Sequence, residues 1–312
     1  MSAVNASGAK ASIANRSPLT AYDYMLYATT VLAWSFSWFA LKVQIGTVPV
    51  QVSVFWRFAL AALIMIIWAL LAKKPLRFPL KTHIKFLFMG AFIFCMNFAL
   101  FYYAAPYLAS GLLSVVFSLA AIFNIFIMAV IQKQLPASNM LLGATLGIAG
   151  IAMMFWPAIA GQTFNKYALL GLALCLLGTL SFCTGNLISA SLQKQGISTV
   201  SASAWGMTYG ALISMVIVAV KGESFAIDWS VTYVSSLLFL VIISSVIAFA
   251  AYLTLLGRIG SDRAGYATLM FPVIALVISV FAEDYHMSLL AGAGLVLVLI
   301  GNFFVLGRGK KS

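Results

Sequence analysis

Residues 270–301, MFPVIALVISVFAEDYHMSLLAGAGLVLVLIG, decide the fold of this chain. Two apolar runs are joined by the short polar segment EDYHMS. With their flanking residues, 264–282 and 288–306, the runs approach the ~20 residues that an α-helix needs to cross a bilayer core of about 30 Å. Similar runs follow one another toward the N terminus. The 312-residue chain is 63% hydrophobic and 8% charged, with a mean hydropathy of +1.08, which is typical of membrane proteins. The sequence therefore predicts an all-α polytopic membrane protein.

The apolar runs predict ten transmembrane helices. Their expected boundaries are 22–42, 50–72, 84–105, 108–131, 139–157, 167–191, 199–220, 230–256, 264–282 and 288–306. The segment 1–21, rich in serine, alanine and asparagine, is expected to be a disordered tail, and the basic segment 307–312 forms a second tail.

The distribution of positive charge predicts the orientation. Most of the 18 lysine and arginine residues fall in the two tails or in loops on one side of the predicted membrane, whereas Lys42, Lys166 and Lys221 fall on the other. Positive residues collect on the cytoplasmic side, so both termini are expected to be cytoplasmic. The net charge of +12 is then a consequence of topology, and we expect no nucleic-acid partner.

The two halves of the chain share features when the sequence is shifted by about 150 residues. QIG at 44–46 matches KQG at 194–196, and the glycines of the fifth run match those of the tenth. These glycines are Gly143, Gly147 and Gly150 in the first half and Gly292, Gly294 and Gly301 in the second. The sequence thus predicts two five-helix repeats, 22–157 and 158–306. Five is an odd number, so the second repeat starts on the opposite side and is inverted, as in alternating-access transporters.

Two stretches carry a resemblance to a known family. WRFALAA at 56–62 is similar to the arginine-bearing second helix of the drug/metabolite transporter superfamily, in particular its ten-span, EamA-type exporters. Residues 270–301 have that family's order of a mid-helix proline, a glutamate at the helix end and a glycine-rich last helix. The first half departs from this order, with Ser118 near the proline position and Gln134 near the glutamate position. The aromatic-rich composition is most similar to the YddG-type exporters of aromatic amino acids.

The polar and aromatic residues at mid-depth of the runs are the candidate substrate-binding residues. They are Trp34, Trp38, Asn97, Ser118, Ser181, Thr184, Asn186, Ser244, Ser245, Tyr266 and Thr268. Each one alone is commonly a hydrogen bond between membrane helices. Together they come from six runs which, in the resembled family, surround the central cavity. Aromatic faces with amides and hydroxyls suit an apolar side chain with a zwitterionic head.

Pro272 and Arg57 are the two other residues of interest within the runs. A proline at the centre of a helix removes one hydrogen bond and displaces the carbonyl four residues earlier, that of Thr268. We interpret Pro272 as a gate or hinge that lines the pathway, the alternative being an ordinary packing kink. Arg57 is expected to be a structural charge that ties helices together, the alternative being a ligand for a substrate carboxylate.

Acidic residues are missing from the middle of every run, and His83 and His286 lie near run ends. Proton-driven carriers usually need an intramembrane carboxylate or histidine, so we expect weak or absent proton coupling and an amphoteric or neutral cargo. The spacing of Cys95, Cys175 and Cys183 is not that of a metal site, so no metal and no cofactor is expected. The glycines of the fifth and tenth runs are expected to pack within one chain, which favours a monomer, with a dimer as the open alternative.

The resemblance and these residues together predict a bacterial inner-membrane protein that is surrounded by lipid and exports small amphipathic metabolites by alternating access. The expected cargo is an aromatic amino acid, namely phenylalanine, tryptophan or tyrosine. Other amino acids, purine-like metabolites and drugs are alternatives within the same fold. A membrane-embedded enzyme would need clustered acids or histidines, which the sequence does not supply. A non-transporting scaffold or receptor would lack a polar cavity at mid-depth.

Overall fold

A computed structural model describes residues 19–46, 48–133, 135–136, 138–160, 165–259 and 267–306, and the regular structure in these ranges is helical throughout. The helices are α1 (Ala21–Val43), α2 (Val50–Leu71), α3 (Leu80–Met89), α4 (Phe98–Ala104), α5 (Ser110–Phe117), α6 (Ala120–Gln132), α7 (Ser138–Ala160), α8 (Lys166–Lys194), α9 (Thr199–Val220), α10 (Val231–Leu238), α11 (Ala248–Ile259), α12 (Ala267–Ala282) and α13 (Leu289–Leu306). Two π-helical segments complete the order: π1 (Gly90–Asn97) joins α3 to α4, and π2 (Phe239–Ile247) joins α10 to α11.

Polar caps fix where several helices begin. The Thr20 hydroxyl accepts from the Asp23 amide and the Asp23 carboxylate accepts from the Thr20 amide, which forms a capping box at the start of α1. Asn165, Ser198 and Ser230 accept backbone N–H groups at the starts of α8, α9 and α10. Each cap satisfies donors that the first helical turn leaves unpaired.

Helices occupy the predicted apolar runs, with differences of a few residues at several ends and a break within the fourth run. The fourth run was predicted as one helix, but α5 and α6 are separated at Ser118 and Leu119. The fifth was predicted to end at Pro157, but α7 continues through Pro157 to Ala160. Proline is tolerated in membrane helices, where neighbouring groups satisfy the freed carbonyl.

Seven stretches within the described residues are long and apolar enough to cross a membrane. They are Val50–Leu71, Leu80–Ala104, Ser110–Ile131, Met140–Pro157, Lys166–Lys194, Thr199–Val220 and Val231–Tyr252. Two shorter apolar helices, Met270–Ala282 and Leu289–Phe304, follow them. This length and composition make the chain an all-helical, multi-pass membrane protein.

The most extensive helix contacts of the described chain are between α2 and α9 and between α7 and α13. Glycines let α7 and α13 touch backbone to backbone. A Cβ on Gly150 would lie 2.5 Å from the Gly294 carbonyl oxygen, and a Cβ on Gly294 would lie 2.5 Å from that of Gly150. Farther along, a Cβ on Gly301 would meet the Gly143 carbonyl oxygen at 2.5 Å. These glycines therefore pack within one chain, as small residues do between membrane helices.

The remaining helices surround the centre of the molecule. Helix α1 packs against α12, α11 and π2, while α8 packs against π1, α4 and α5. Helix α5 also packs against α12. Side chains of α1, α4, α5, α8, α11 and α12 consequently meet at one place.

Candidate functional site

Aromatic side chains fill the place where these six helices meet. We call them the central aromatic cluster: Trp34, Trp38, Phe101, Phe117, Phe182, Tyr252 and Phe271. Trp34 and Trp38 stand four residues apart and therefore share one face of α1. The ring of Trp38 is 5.0 Å from that of Phe101 and 5.4 Å from that of Phe117.

Phe117 connects most of the cluster. Its ring centroid is 4.7 Å from Phe182 and 6.2 Å from Phe271, while Trp34 is 5.2 Å from Tyr252. Phe101 and Phe271 are buried, but the other five rings of the cluster are only half-buried. Part of the aromatic surface of the cluster is therefore not covered by protein. Sequence analysis identified Trp34 and Trp38 and missed the phenylalanines, because a phenylalanine in an apolar run carries no signal of its own.

Helix α12 is joined to α1 next to Pro272, beside this cluster. The Ser35 hydroxyl, which is fully buried, shares its one proton between the Val31 carbonyl at 2.6 Å and the Phe271 carbonyl at 3.1 Å. Phe271 directly precedes Pro272, which lies inside α12. Proline at position 272 removes the bond to the Thr268 carbonyl of its own helix. The Ser35 bond is to the Phe271 carbonyl and joins α1 to α12 beside the proline.

Two of the candidate hydroxyls form bonds between helices. The Ser118 hydroxyl accepts from the Asn302 amide at 3.1 Å and donates to the Val115 carbonyl at 2.7 Å. The Ser181 hydroxyl donates to the Phe92 carbonyl of π1 at 2.7 Å. In this conformation, both hydroxyls connect helices.

The other candidates differ in their surroundings. Asn97 is buried. Its side-chain nitrogen Nδ2 lies 3.3 Å from the Ile93 carbonyl, and its side-chain oxygen Oδ1 has no partner among the described residues. Thr184 donates to a carbonyl of its own helix at 2.9 Å, and Asn186 is half-buried on α8. Ser244 is buried in π2.

The last two candidates precede Pro272 in the chain. Tyr266 lies outside the described residues. Of Thr268, only the backbone in the first turn of α12 is described. Both residues therefore stay sequence predictions.

Arg57 is buried in the middle of α2, with 3% of its surface exposed. Its guanidinium carbon lies 4.4 Å from the centre of the Phe98 ring and 5.4 Å from that of Phe58, both cation–π distances. Its Nη2 atom is 3.5 Å from the Ser245 hydroxyl, and its Nε has no acceptor among the described residues. Arg57 thus connects α2 to α4 and π2.

A polar network at one end of the molecule was not predicted from the sequence. The Glu283 carboxylate accepts from the Lys42 ammonium at 2.8 Å and from the Ser110 amide and hydroxyl. The Ser279 hydroxyl donates to Glu283 at 3.1 Å and accepts from the Gly111 amide at 2.6 Å. These bonds join the ends of α1, α5 and α12. The available signal was that Lys42 and Glu283 have opposite charges on one predicted side of the membrane.

The neighbours of the Glu283 carboxyl lower its pKa. Partial burial raises the pKa, but the Lys42 ammonium and the hydrogen bonds from Ser110 outweigh burial and hold it below its ordinary value. At the other end of α1, Asp23 forms an ion pair with Arg258, whose Nε lies 2.5 Å from the carboxylate. Arg258 also lies over the Tyr22 ring at 5.0 Å.

The described chain offers few side chains for metal binding or thiol chemistry. It contains no group of three His, Cys, Asp or Glu residues that could hold a metal ion. Cys95, Cys175 and Cys183 are buried and form no disulfide bond with one another.

Comparison with known proteins gives three kinds of match: a family model, curated relatives and a solved structure. The model of the EamA-like transporter family matches this chain twice, over residues 22–156 and 169–307. Among curated relatives, a probable amino-acid metabolite efflux pump of Escherichia coli K12 is 26% identical over 89% of this chain and 93% of its own length. The protein PagO of Salmonella typhimurium is 23% identical over 90% of this chain and 92% of its own length.

A solved crystal structure shares the fold, with a TM-score of 0.62 and 15% identity over 90% of this chain and 95% of that one. The family is one of transporters and the E. coli relative is named as an efflux pump, so this chain is a transporter and not an enzyme. With two family matches that together cover most of its length, the chain belongs to the EamA-like transporter family, part of the drug/metabolite transporter superfamily.

Proposed function

We propose that this transporter exports small amphipathic metabolites across a bacterial inner membrane, and that its cargo is an aromatic amino acid. The observation that carries the proposal is the central aromatic cluster, whose half-buried rings come from both halves of the chain. Aromatic pairs contribute about 0.5–1.5 kcal/mol beyond the area that they bury, so such a site favours a ring over an aliphatic side chain. The E. coli relative, named for amino-acid metabolites, supports the same cargo class.

Two inverted five-helix repeats provide the mechanism, alternating access. In this scheme α2 pairs with its own equivalent α9, and α7 pairs with its own equivalent α13. The contact of α1 with α12 corresponds to that of α8 with α5, and the contact of α1 with π2 to that of α8 with π1. The starts of π1 and π2 lie about 150 positions apart, the same shift that aligns the two halves. The two separate family matches support the same duplication.

The distribution of charge supports transport without proton coupling. The described carboxylates lie at helix ends or in loops: Asp23, Glu223, Asp228, Glu283 and Asp284. Carriers that move protons place a titratable carboxylate or histidine within the membrane. The positive-inside pattern supports cytoplasmic termini. The glycine contacts between α7 and α13 leave these residues occupied within one chain, which favours a monomer.

Polar groups near the cluster suit a zwitterionic head. The side-chain oxygen of Asn97 is a buried acceptor without a partner among the described residues. An ammonium group would satisfy it. Rocking of the two halves around Pro272, whose neighbour Phe271 is bonded to Ser35 of α1, would expose the site to each side in turn.

Uptake of labelled phenylalanine into proteoliposomes tests this function, with and without a pH gradient and with tryptophan, threonine or adenine as competitors. We expect uptake that does not depend on the gradient, that tryptophan blocks and that threonine and adenine leave unchanged. Competition by threonine or adenine but not by tryptophan would replace the cargo class. Strict dependence on the gradient would contradict the uncoupled mechanism.

A further inference from the structure

The buried guanidinium of Arg57 lacks the partner that such a charge normally has. Within the described residues no carboxylate lies within 4 Å of it, and its side-chain partners are neutral, namely the Ser245 hydroxyl at the 3.5 Å limit and the Tyr102 hydroxyl. Burial of an ionised group is costly unless the group is paired and hydrogen-bonded, and more so inside a membrane. Arg57 therefore contacts neighbouring helices through neutral groups only, and within the described residues no anion neutralises its charge.

The neighbouring residue Gln44 adds a second buried donor without an acceptor. The Tyr102 hydroxyl interacts electrostatically with the guanidinium and donates to the side-chain oxygen of Gln44, Oε1, at 2.5 Å. Gln44 and Tyr102 are 2% and 1% exposed. The Gln44 amide nitrogen and the Arg57 Nε are both buried donors with no partner among the described residues. A site with surplus donors and a positive charge fits a ligand that brings only acceptors, such as a carboxylate.

The position of Arg57 connects this site to the central aromatic cluster. Its guanidinium lies against Phe98, which is three residues before the cluster's Phe101 on α4. Three residues of helix span about 4.5 Å, so the two rings stand one turn apart along α4. A small molecule with a ring at the cluster and a carboxylate at Arg57 would use both.

We propose that Arg57, assisted by Gln44, binds the carboxylate of the cargo, so that the transporter recognises amphipathic acids and rejects the corresponding amides and amines. This inference rests on the proposed function, because it assigns one residue to the head group of the same cargo. Arg57 is then a specificity-determining residue. A guanidinium offers two parallel N–H donors that match the two oxygens of a carboxylate.

Binding of matched ligands to the purified, intact protein tests the assignment. The ligands are phenylalanine and phenylalaninamide, which differ only at the carboxylate, and the variants are Arg57→Gln, Arg57→Lys and Gln44→Leu. Arg258→Gln is the control, since it removes an arginine from the exposed end of α11. We expect Arg57→Gln to raise the Kd of phenylalanine by about 10- to 100-fold, the value of a charge-assisted hydrogen bond.

Discrimination between acid and amide distinguishes binding from a structural role. For the wild type and Arg258→Gln, the amide should bind at least tenfold more weakly than the acid. For Arg57→Gln this ratio should fall toward one, and Arg57→Lys and Gln44→Leu should lie between. If Arg57→Gln does not fold, a reduced ratio in the folded Arg57→Lys and Gln44→Leu variants supports the assignment. An unchanged ratio in the folded variants, or no discrimination by the wild type, overturns it.

The proposed function can fail separately. If the wild type binds neither phenylalanine nor its amide, thermal stabilisation by 3-phenylpropionate is measured instead, since this acid has no ammonium group. Stabilisation that Arg57→Gln abolishes and Arg258→Gln keeps would retain the carboxylate site and remove the amino-acid cargo. Stabilisation that is absent, or that is equal in both variants, would overturn the site.

Discussion

The crossing of α7 with α13 and the central aromatic cluster are built in opposite ways. At the crossing, glycines bring two backbones into contact, with Gly150 and Gly294 so close that neither position has room for a Cβ. In the cluster, large half-buried rings keep the helices apart. Backbone contact leaves nothing that can rearrange, whereas rings can change rotamer when a ligand enters. The comparison indicates a rigid outer pair of helices and an adaptable centre.

A large side chain at the crossing should have the largest effect. In Gly150→Leu the new Cβ alone would approach the Gly294 carbonyl oxygen to 2.5 Å, and because that atom is backbone, the helices themselves must move. Overpacking of this kind costs about 1–3 kcal/mol and sometimes more. We expect a loss of folded protein, or an apparent Tm lower by several degrees or more, as measured in detergent.

Gly292→Leu is the matched control for this variant. It lies on α13 as Gly294 does, but a Cβ there would meet nothing within 4 Å. Its apparent Tm should stay close to that of the wild type. Equal Tm losses for the two variants would show that glycine-to-leucine changes act through helix propensity or lipid contact, and the rigid-crossing interpretation would be wrong.

A change in the cluster should instead affect cargo more than stability. Trp38→Ala removes the ring that touches both Phe101 and Phe117, so the affinity for an aromatic cargo should fall by about tenfold or more. Because Trp38 is only half-buried, its Tm loss should be smaller than that of Gly150→Leu. Trp229→Ala, at a position 79% exposed, is the control and should leave both affinity and Tm unchanged. Unchanged affinity in Trp38→Ala would remove the cluster from the cargo site.

The helices could be predicted from the sequence, but only some residues of the candidate site could. Apolar runs of fixed length predict helices in a membrane, and a rare group such as Arg57 stands out within them. The cluster's Phe117 and the α4 residue Phe98 are invisible among 24 phenylalanines, since only the packing of helices shows which rings meet. The π-helical turns at Gly90–Asn97 and Phe239–Ile247 have no sequence signature that we could use. A hydroxyl such as Ser181 looks the same in sequence whether it binds cargo or a carbonyl of another helix.

The Glu283 network should give a smaller, pH-dependent effect. The pKa of Glu283 is lower in the folded protein than in the unfolded chain, so the ionised form stabilises the fold above the unfolded value of about 4.3. This contribution disappears as the pH falls through the lower folded value. Lys42 is 31% exposed at its side chain, so we expect only about 1 kcal/mol, or a few degrees of apparent Tm, between wild type and Glu283→Gln at pH 7.

The Tm difference between these two proteins should shrink toward acid pH, because both then carry a neutral side chain at position 283. Glu223→Gln is the control: its partner Lys221 lies 3.9 Å away in a more exposed pair, so no measurable difference is expected. A constant difference between wild type and Glu283→Gln across pH 3–7 would contradict the assignment of the stabilisation to the ionised carboxylate.

The smallest effect should come from Thr184, and it decides whether candidate hydroxyls bind cargo. Thr184→Val keeps the shape of the side chain and removes only a hydroxyl that donates to its own helix, so stability should change by less than about 0.5 kcal/mol. Ser181→Ala removes a bond to π1 and should cost about 1 kcal/mol. If both hydroxyls only hold helices, neither variant changes the Kd of phenylalanine by more than about twofold. A tenfold rise in Kd for Thr184→Val, with stability unchanged, would instead extend the cargo site beyond the aromatic cluster onto this face of α8.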